Sequence, residues 1–244
     1  MNANQIMPGD KVDIRILQQV KQDKSSEITT YISSVYDVQE DGTVILNMPT
    51  QAGKILLLPV KIRYEFIFTT SQGLFKAEGT VTERYKEKNF YLLKVGFSSA
   101  LEKFQRREYY RLNCMIPVNY LILDDEIVKL NKMKEIHYAI QDHIEILKTK
   151  SSGTMVDISG GGMRFVTDES LEGAKHLLLQ FRLENEKIDV LIDVVGDIIR
   201  SEKIVDNNKF FNRIQFHYKD SKCQESIIRY IFEEERILRK KEQG

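Results

Sequence analysis

The 244-residue sequence has two cysteines and four histidines, and its 36 lysines and arginines are balanced by 36 aspartates and glutamates. Each scarcity removes a class of protein. Cys114 and Cys223 are far apart and in no metal-ligand spacing, which excludes a disulfide framework and a cysteine zinc site. The histidines are scattered; His137 and His143 read as solvated side chains rather than ligands. Zero net charge excludes a protein that holds long nucleic acid by charge alone. No apolar run approaches the roughly 20 residues that span a bilayer. The opening Met-Asn-Ala-Asn-Gln-Ile-Met-Pro-Gly-Asp has neither a basic region nor an apolar one, so no secretory signal is visible. A cytoplasmic protein without membrane insertion is expected. The first hundred residues hold no nucleophile elbow, no phosphate loop and no His/Cys cluster, and no catalytic or metal-binding residue is assigned.

What is present is mostly β. Val12, Ile14 and Ile16 alternate after Pro8-Gly9-Asp10, and residues 28–38 are rich in β-branched side chains and tyrosine before an Asp41-Gly42 turn. Residues 43–48, 54–60, 63–70, 74–85 and 90–97 read as further strands. Residues 1–100 are therefore expected to form a barrel-like all-β domain without a long helix.

The second domain, residues 101–244, starts with a basic stretch. Arg106, Arg107 and Arg111 are interleaved with Tyr109 and Tyr110, and lead into an alternating run of Leu112, Cys114, Ile116, Val118, Tyr120 and Ile122. Cys114 falls on the apolar face, as a buried thiol. Residues 124–150 carry Ile136, Ile140, Ile144 and Leu147 at helical spacing, an insertion expected to cover a barrel end or face a partner. Further strands follow around 155–166, 177–183, 188–199 and 212–218, with Gly196 marking a bulge. Ser221 reads as the N-cap of a final helix with Ile227, Ile228, Ile231, Phe232 and Leu238 on one side.

Two motifs carry chemistry. The Arg107 and Arg111 guanidiniums present planar forks that grip phosphate and stack on flat rings. In Asp157-Ile158-Ser159-Gly160-Gly161-Gly162, Asp157 and Ser159 are expected on one face of a strand, with Val156 and Ile158 toward the core. A carboxylate and a hydroxyl so placed read the donor edge of a base. The glycines permit positive φ and close approach of a ligand.

Arg107-x-x-x-Arg111 followed by Asp157-x-Ser159-x-x-Gly162 resembles the paired motif of PilZ domains, bacterial receptors for cyclic di-GMP. The resemblance implies a six-stranded barrel and a ligand site at Arg106, Arg107, Arg111, Asp157, Ser159, Gly161 and Gly162, with no cofactor. In PilZ domains an arginine just before the motif goes with a stacked pair of ligands, so Arg106 implies two cyclic di-GMP per chain. Its alternatives are solvent or a pair with Glu102. The order and size of the first domain are similar to the flagellar-brake (YcgR-like) proteins. That likeness implies domains that rearrange on ligand binding, a flagellar motor or stator partner, recruitment to the flagellar basal body, and control of motility. Two other readings stay open at this point. One is a flavin-binding split-barrel oxidoreductase; the other is single-stranded RNA binding on aromatic-lined barrels.

Overall fold

The structure, a computed structural model, describes residues 5–17, 29–51, 53–205 and 207–243. The expected strand start at Ile28 lies outside them. The chain divides into two compact units, Met1–Arg106 and Arg107–Gly244.

In the first unit, β1 (Lys11–Ile16), β2 (Thr30–Val38), β3 (Val44–Asn47), β6 (Arg63–Thr70), β7 (Gly73–Glu87) and β8 (Phe90–Phe97) pair in the order β6-β1-β2-β3-β8-β7. A β6–β7 pairing closes the ring, and β9 (Glu102–Lys103) extends β7. Closure satisfies backbone donors that an open edge would expose. The alternation seen in sequence fills the interior: Val12, Ile14, Tyr64, Phe66, Phe68, Val81, Leu93 and Val95 are buried, with Phe97 edge-on to Phe66 and Phe68. The strand expected over 54–60 is reduced to β5 (Lys54–Ile55), which pairs only with β4 (Thr50–Gln51). Pro59 has no N–H to give a ladder, and its carbonyl instead accepts from the buried Tyr64 hydroxyl at 2.8 Å.

The second unit is a closed antiparallel barrel in the order β10-β11-β12-β15-β14-β13. Its strands are β10 (Arg111–Leu123), β11 (Ser151–Ser159), β12 (Gly162–Thr167), β13 (His176–Glu184), β14 (Asp189–Lys203) and β15 (Phe210–His217). Leu112, Val118, Tyr120, Met155, Ile158, Phe165, Leu177, Leu179, Phe181, Leu183 and Ile214 make its core. Leu178 faces the other way, onto the insertion. That double burial explains why β13 carries three successive leucines.

The insertion is three short helices rather than one periodic one: α1 (Asp125–Val128), α2 (Met133–Asp142) and α3 (Ile144–Lys148). His143 leaves the helical region (φ −114°, ψ 88°), and the break changes the phase of the apolar stripe. Ile136, Ile140 and Ile146 are buried against Leu121, Leu123, Leu178 and Val195, whereas the expected Ile144 and Leu147 are exposed. The final helix, α4 (Ser221–Gln243), begins one residue later than its cap: Asp220 Oδ1, not Ser221, accepts from the Cys223 N–H at 3.0 Å. Ile227, Tyr230 and Ile231 are buried, but Phe232 and Leu238 are exposed, because α4 presents a narrower stripe to the barrel than its sequence suggests.

Gly196 does not mark the bulge. It pairs regularly with Leu177 and Phe216, and the register slips later, between Ile198 and Arg200. A Cβ at Gly196 would lie 2.3 Å from Ile214 Cγ2 and 2.9 Å from Leu179 Cδ1, both core side chains. Overpacking of this kind costs about 1–3 kcal/mol. Gly196→Ala should lower the thermal midpoint of the second unit accordingly. Gly96→Ala, whose Cβ would meet only Thr82 Cγ2 at 3.5 Å, should not lower that of the first.

Candidate functional site

The candidate residues of the second unit converge where β10 begins and β11 ends. Arg111 lies directly across from Ser159, and Asn113 across from Asp157. On the other flank Asp157 faces Arg164 of β12, Ser159 faces Gly162, and Arg164 faces Arg213 of β15. The register of β11 slips between Met155 and Asp157. Met155 therefore joins Ile158 in the core while Val156, expected there, is only half-buried. Asp157 and Ser159 do share a face.

Asp157 is not open as expected. Its carboxylate is almost wholly buried, and Oδ2 accepts from both Nε and Nη2 of Arg164. Burial of an ion is tolerated when a partner of opposite charge is held against it. Arg164 is itself held by the Phe211 ring, 5.1 Å from the guanidinium carbon. The Arg111 guanidinium is pushed below its ordinary pKa, first by desolvation and then by Arg107; Asp157 opposes the shift, and Arg164 and Arg213 add to it. Arg111 thus interacts with one carboxylate and with three other guanidiniums. Cys114, on the same stretch of β10, has its thiol pushed up to about 12 by burial and then by Asp157, and is inert.

The glycine turn works by proximity. None of Gly160, Gly161 and Gly162 has a φ in the left-handed range, so the expected positive φ is not their reason. A Cβ on Gly160 would lie 2.5 Å from the Tyr109 ring, and one on Gly162 would lie 2.1 Å from the Ile214 carbonyl oxygen. Tyr109, between the two motif arginines, therefore packs closely against the turn that joins β11 to β12. Gln224 Nε2 of α4 donates to the Tyr109 hydroxyl (3.2 Å) and to the Gly160 carbonyl (3.1 Å), and Tyr218 donates to the same carbonyl at 2.9 Å. Ser159 Oγ donates to the Gly162 carbonyl at 3.0 Å, closing the hairpin.

Arg106 ends the first unit, where its Nη1 lies 3.4 Å from Asp13 Oδ2 of β1 rather than against Glu102. Sequence reasoning missed Arg164, Arg213, Tyr109 and Gln224. The alternation of β15 places Arg213 outward, but only the register brings it beside Arg164.

A family model described as the flagellar protein YcgR matches residues 7–97, and the PilZ domain model matches residues 105–233. A search of curated proteins finds no match. Among solved structures, the Bacillus subtilis inhibitor of motility (MotI/DgrA) is similar with a TM-score of 0.68 at 14% identity, over 94% of this chain and 98% of that one. Escherichia coli YcgR in complex with c-di-GMP is similar with a TM-score of 0.51 at 16% identity, over 96% and 88%. At such identities the structural likeness shows the fold.

Removing Arg164 would leave the buried Asp157 charge without its hydrogen-bonded partner, a loss below the roughly 3–5 kcal/mol of a fully buried pair because Arg164 is partly exposed. Arg164→Leu should therefore destabilise the second unit strongly in denaturant unfolding. The double variant Asp157→Asn/Arg164→Leu should recover part of that loss. Equal losses would contradict the pairing.

Proposed function

The chain belongs to the PilZ-domain family and carries an amino-terminal domain of the YcgR type, and from that premise we propose that it is a cytoplasmic cyclic di-GMP receptor, not an enzyme, that controls motility. Cyclic di-GMP carries two phosphates and two guanines. Arg107 and Arg111 pair with phosphate and stack on the bases, while Asp157 and Ser159 read the guanine donor edge and Gly161 and Gly162 keep the turn free of side chains. The observation that carries this reading is the placement of Arg111 directly opposite Ser159, beside Asp157.

Asp157 supports it in a specific way. Its carboxylate is held by Arg164 through one oxygen, Oδ2. In this reading the other oxygen accepts from the guanine N1–H and N2–H₂ donors. Adenine does not present that pair. Arg106 adds a third guanidinium to the linker, and by resemblance to PilZ domains with an arginine at this place the reading assigns two ligand molecules per chain. On loading, Arg106 leaves Asp13 for ligand phosphate. That exchange is inexpensive, because the Arg106–Asp13 pair is solvent-exposed and such pairs contribute little. The domains rearrange because the ligand has higher affinity for the state in which the linker is tied to it. The output partner is then a flagellar motor or stator protein. This part of the reading follows the YcgR-type domain order and the likeness to an inhibitor of motility.

Calorimetric titration of the full chain with cyclic di-GMP tests the reading. Binding is expected at two ligands per chain, with Arg107→Ala and Arg111→Ala each weakening it tenfold or more, since hydrogen bonds to charged groups contribute about 1.5–3 kcal/mol. Asp157→Asn should narrow the preference over cyclic di-AMP. No heat and no saturation with folded parent protein would reject the receptor; one ligand per chain would reject the pair.

A further inference from the structure

The barrel register brings together more positive charge than the two motifs supply. Arg213 of β15 lies directly opposite Arg164 on one side and Arg200 of β14 on the other. Like charges directly opposite in adjacent strands destabilise a sheet, and here three stand in a row across three strands, roughly 10 Å from end to end at the usual strand spacing. The two outer members are compensated, Arg164 by Asp157 and Arg200 by Glu202 Oε1 at 2.6 Å. The central one is not: among the described residues no carboxylate lies within ion-pair distance of Arg213, and its side chain is exposed. Phe211, two residues earlier on the same face of β15, offers a ring beside this row and already lies under Arg164. The row is continuous with the candidate site, because Arg111 interacts electrostatically with both Arg164 and Arg213.

An uncompensated guanidinium between two others is a cost to the ligand-free protein that an anion would offset. Sites of function commonly carry such a local conflict. We propose that Arg213, supported by Arg164 and Arg200, is an anion subsite on the outer face of β12, β15 and β14 that holds cyclic dinucleotide phosphate beyond the reach of Arg107 and Arg111. A guanidinium fork suits phosphate in two-point contact, and Phe211 provides an apolar edge on which a base or sugar rests. This inference rests on the receptor reading above. It adds a binding residue that neither motif contains, drawn from a strand some fifty residues beyond the Asp157 motif.

The test uses the full chain and two measurements. Cyclic di-GMP is titrated into the parent, Arg213→Gln and Arg213→Lys, and each protein is melted without ligand. Arg213→Gln should weaken binding by roughly tenfold, the loss of one charge-assisted contact, while its ligand-free midpoint stays the same or rises because repulsion is relieved. Arg213→Lys, which keeps the charge without the fork, should lose less. Arg200→Gln should weaken binding several-fold as an independent check on the row. If the parent binds and Arg213→Gln binds equally well, the subsite is wrong. A weakened Arg213→Gln whose ligand-free midpoint falls would place the residue in the fold and also overturn it. A parent that does not bind refutes the receptor reading, a different result from either.

Discussion

A carboxylate buried among guanidiniums is the constraint from which the second unit's functional face follows. Asp157 sits under the surface of β11 with Arg164 locked onto it, while Arg111 interacts with this carboxylate and with Arg107, Arg164 and Arg213. In the proposed reading this face receives an anion, and the buried pair gives it a fixed centre. Had Asp157 been apolar, Arg164 would add to the repulsion instead of anchoring it. Had Arg164 been apolar, the buried carboxylate would lose the guanidinium hydrogen-bonded to it, which interiors tolerate poorly.

The barrel makes this arrangement rigid. Its six strands are all paired, so the relative positions of Arg111, Asp157, Ser159, Arg164 and Arg213 are set by ladder hydrogen bonds rather than by loops. Close approach does the rest. Gly162 lets β12 lie against the Ile214 carbonyl, and Gly160 gives the Tyr109 ring its seat. Gln224 holds both Tyr109 and Gly160, so the start of α4 helps fix the segment between Arg107 and Arg111. A ligand that moves those arginines must disturb Tyr109, and with it a helix docked by Ile227, Tyr230 and Ile231.

Much of this was legible in the sequence because it is local. The alternation of Val12-Ile14, of Leu177 to Leu183 and of Asn212 to Phe216 gave strands and inward faces, and both candidate motifs are short and contiguous. What was not legible depends on register or on small breaks in geometry. Arg164 and Arg213 are ordinary strand arginines until β12 and β15 are aligned. A slip of one residue beside Asp157 exchanged Val156 for Met155 in the core. A single non-helical residue, His143, moved the insertion's buried stripe from Ile144 and Leu147 to Ile146. Gly196 looked like a bulge because sequence cannot show that Ile214 and Leu179 press on it from within the barrel.

The central claim is that cyclic di-GMP is held on this face of the second unit. Hydrogen–deuterium exchange with and without cyclic di-GMP addresses it directly, since bound segments exchange more slowly. Slowing is predicted in residues 105–113, through the Asp157 to Arg164 hairpin and along β15 around Arg213, with strand β13 under the insertion unchanged. Protection confined to residues 7–97, or exchange unaltered by saturating ligand, would contradict the account.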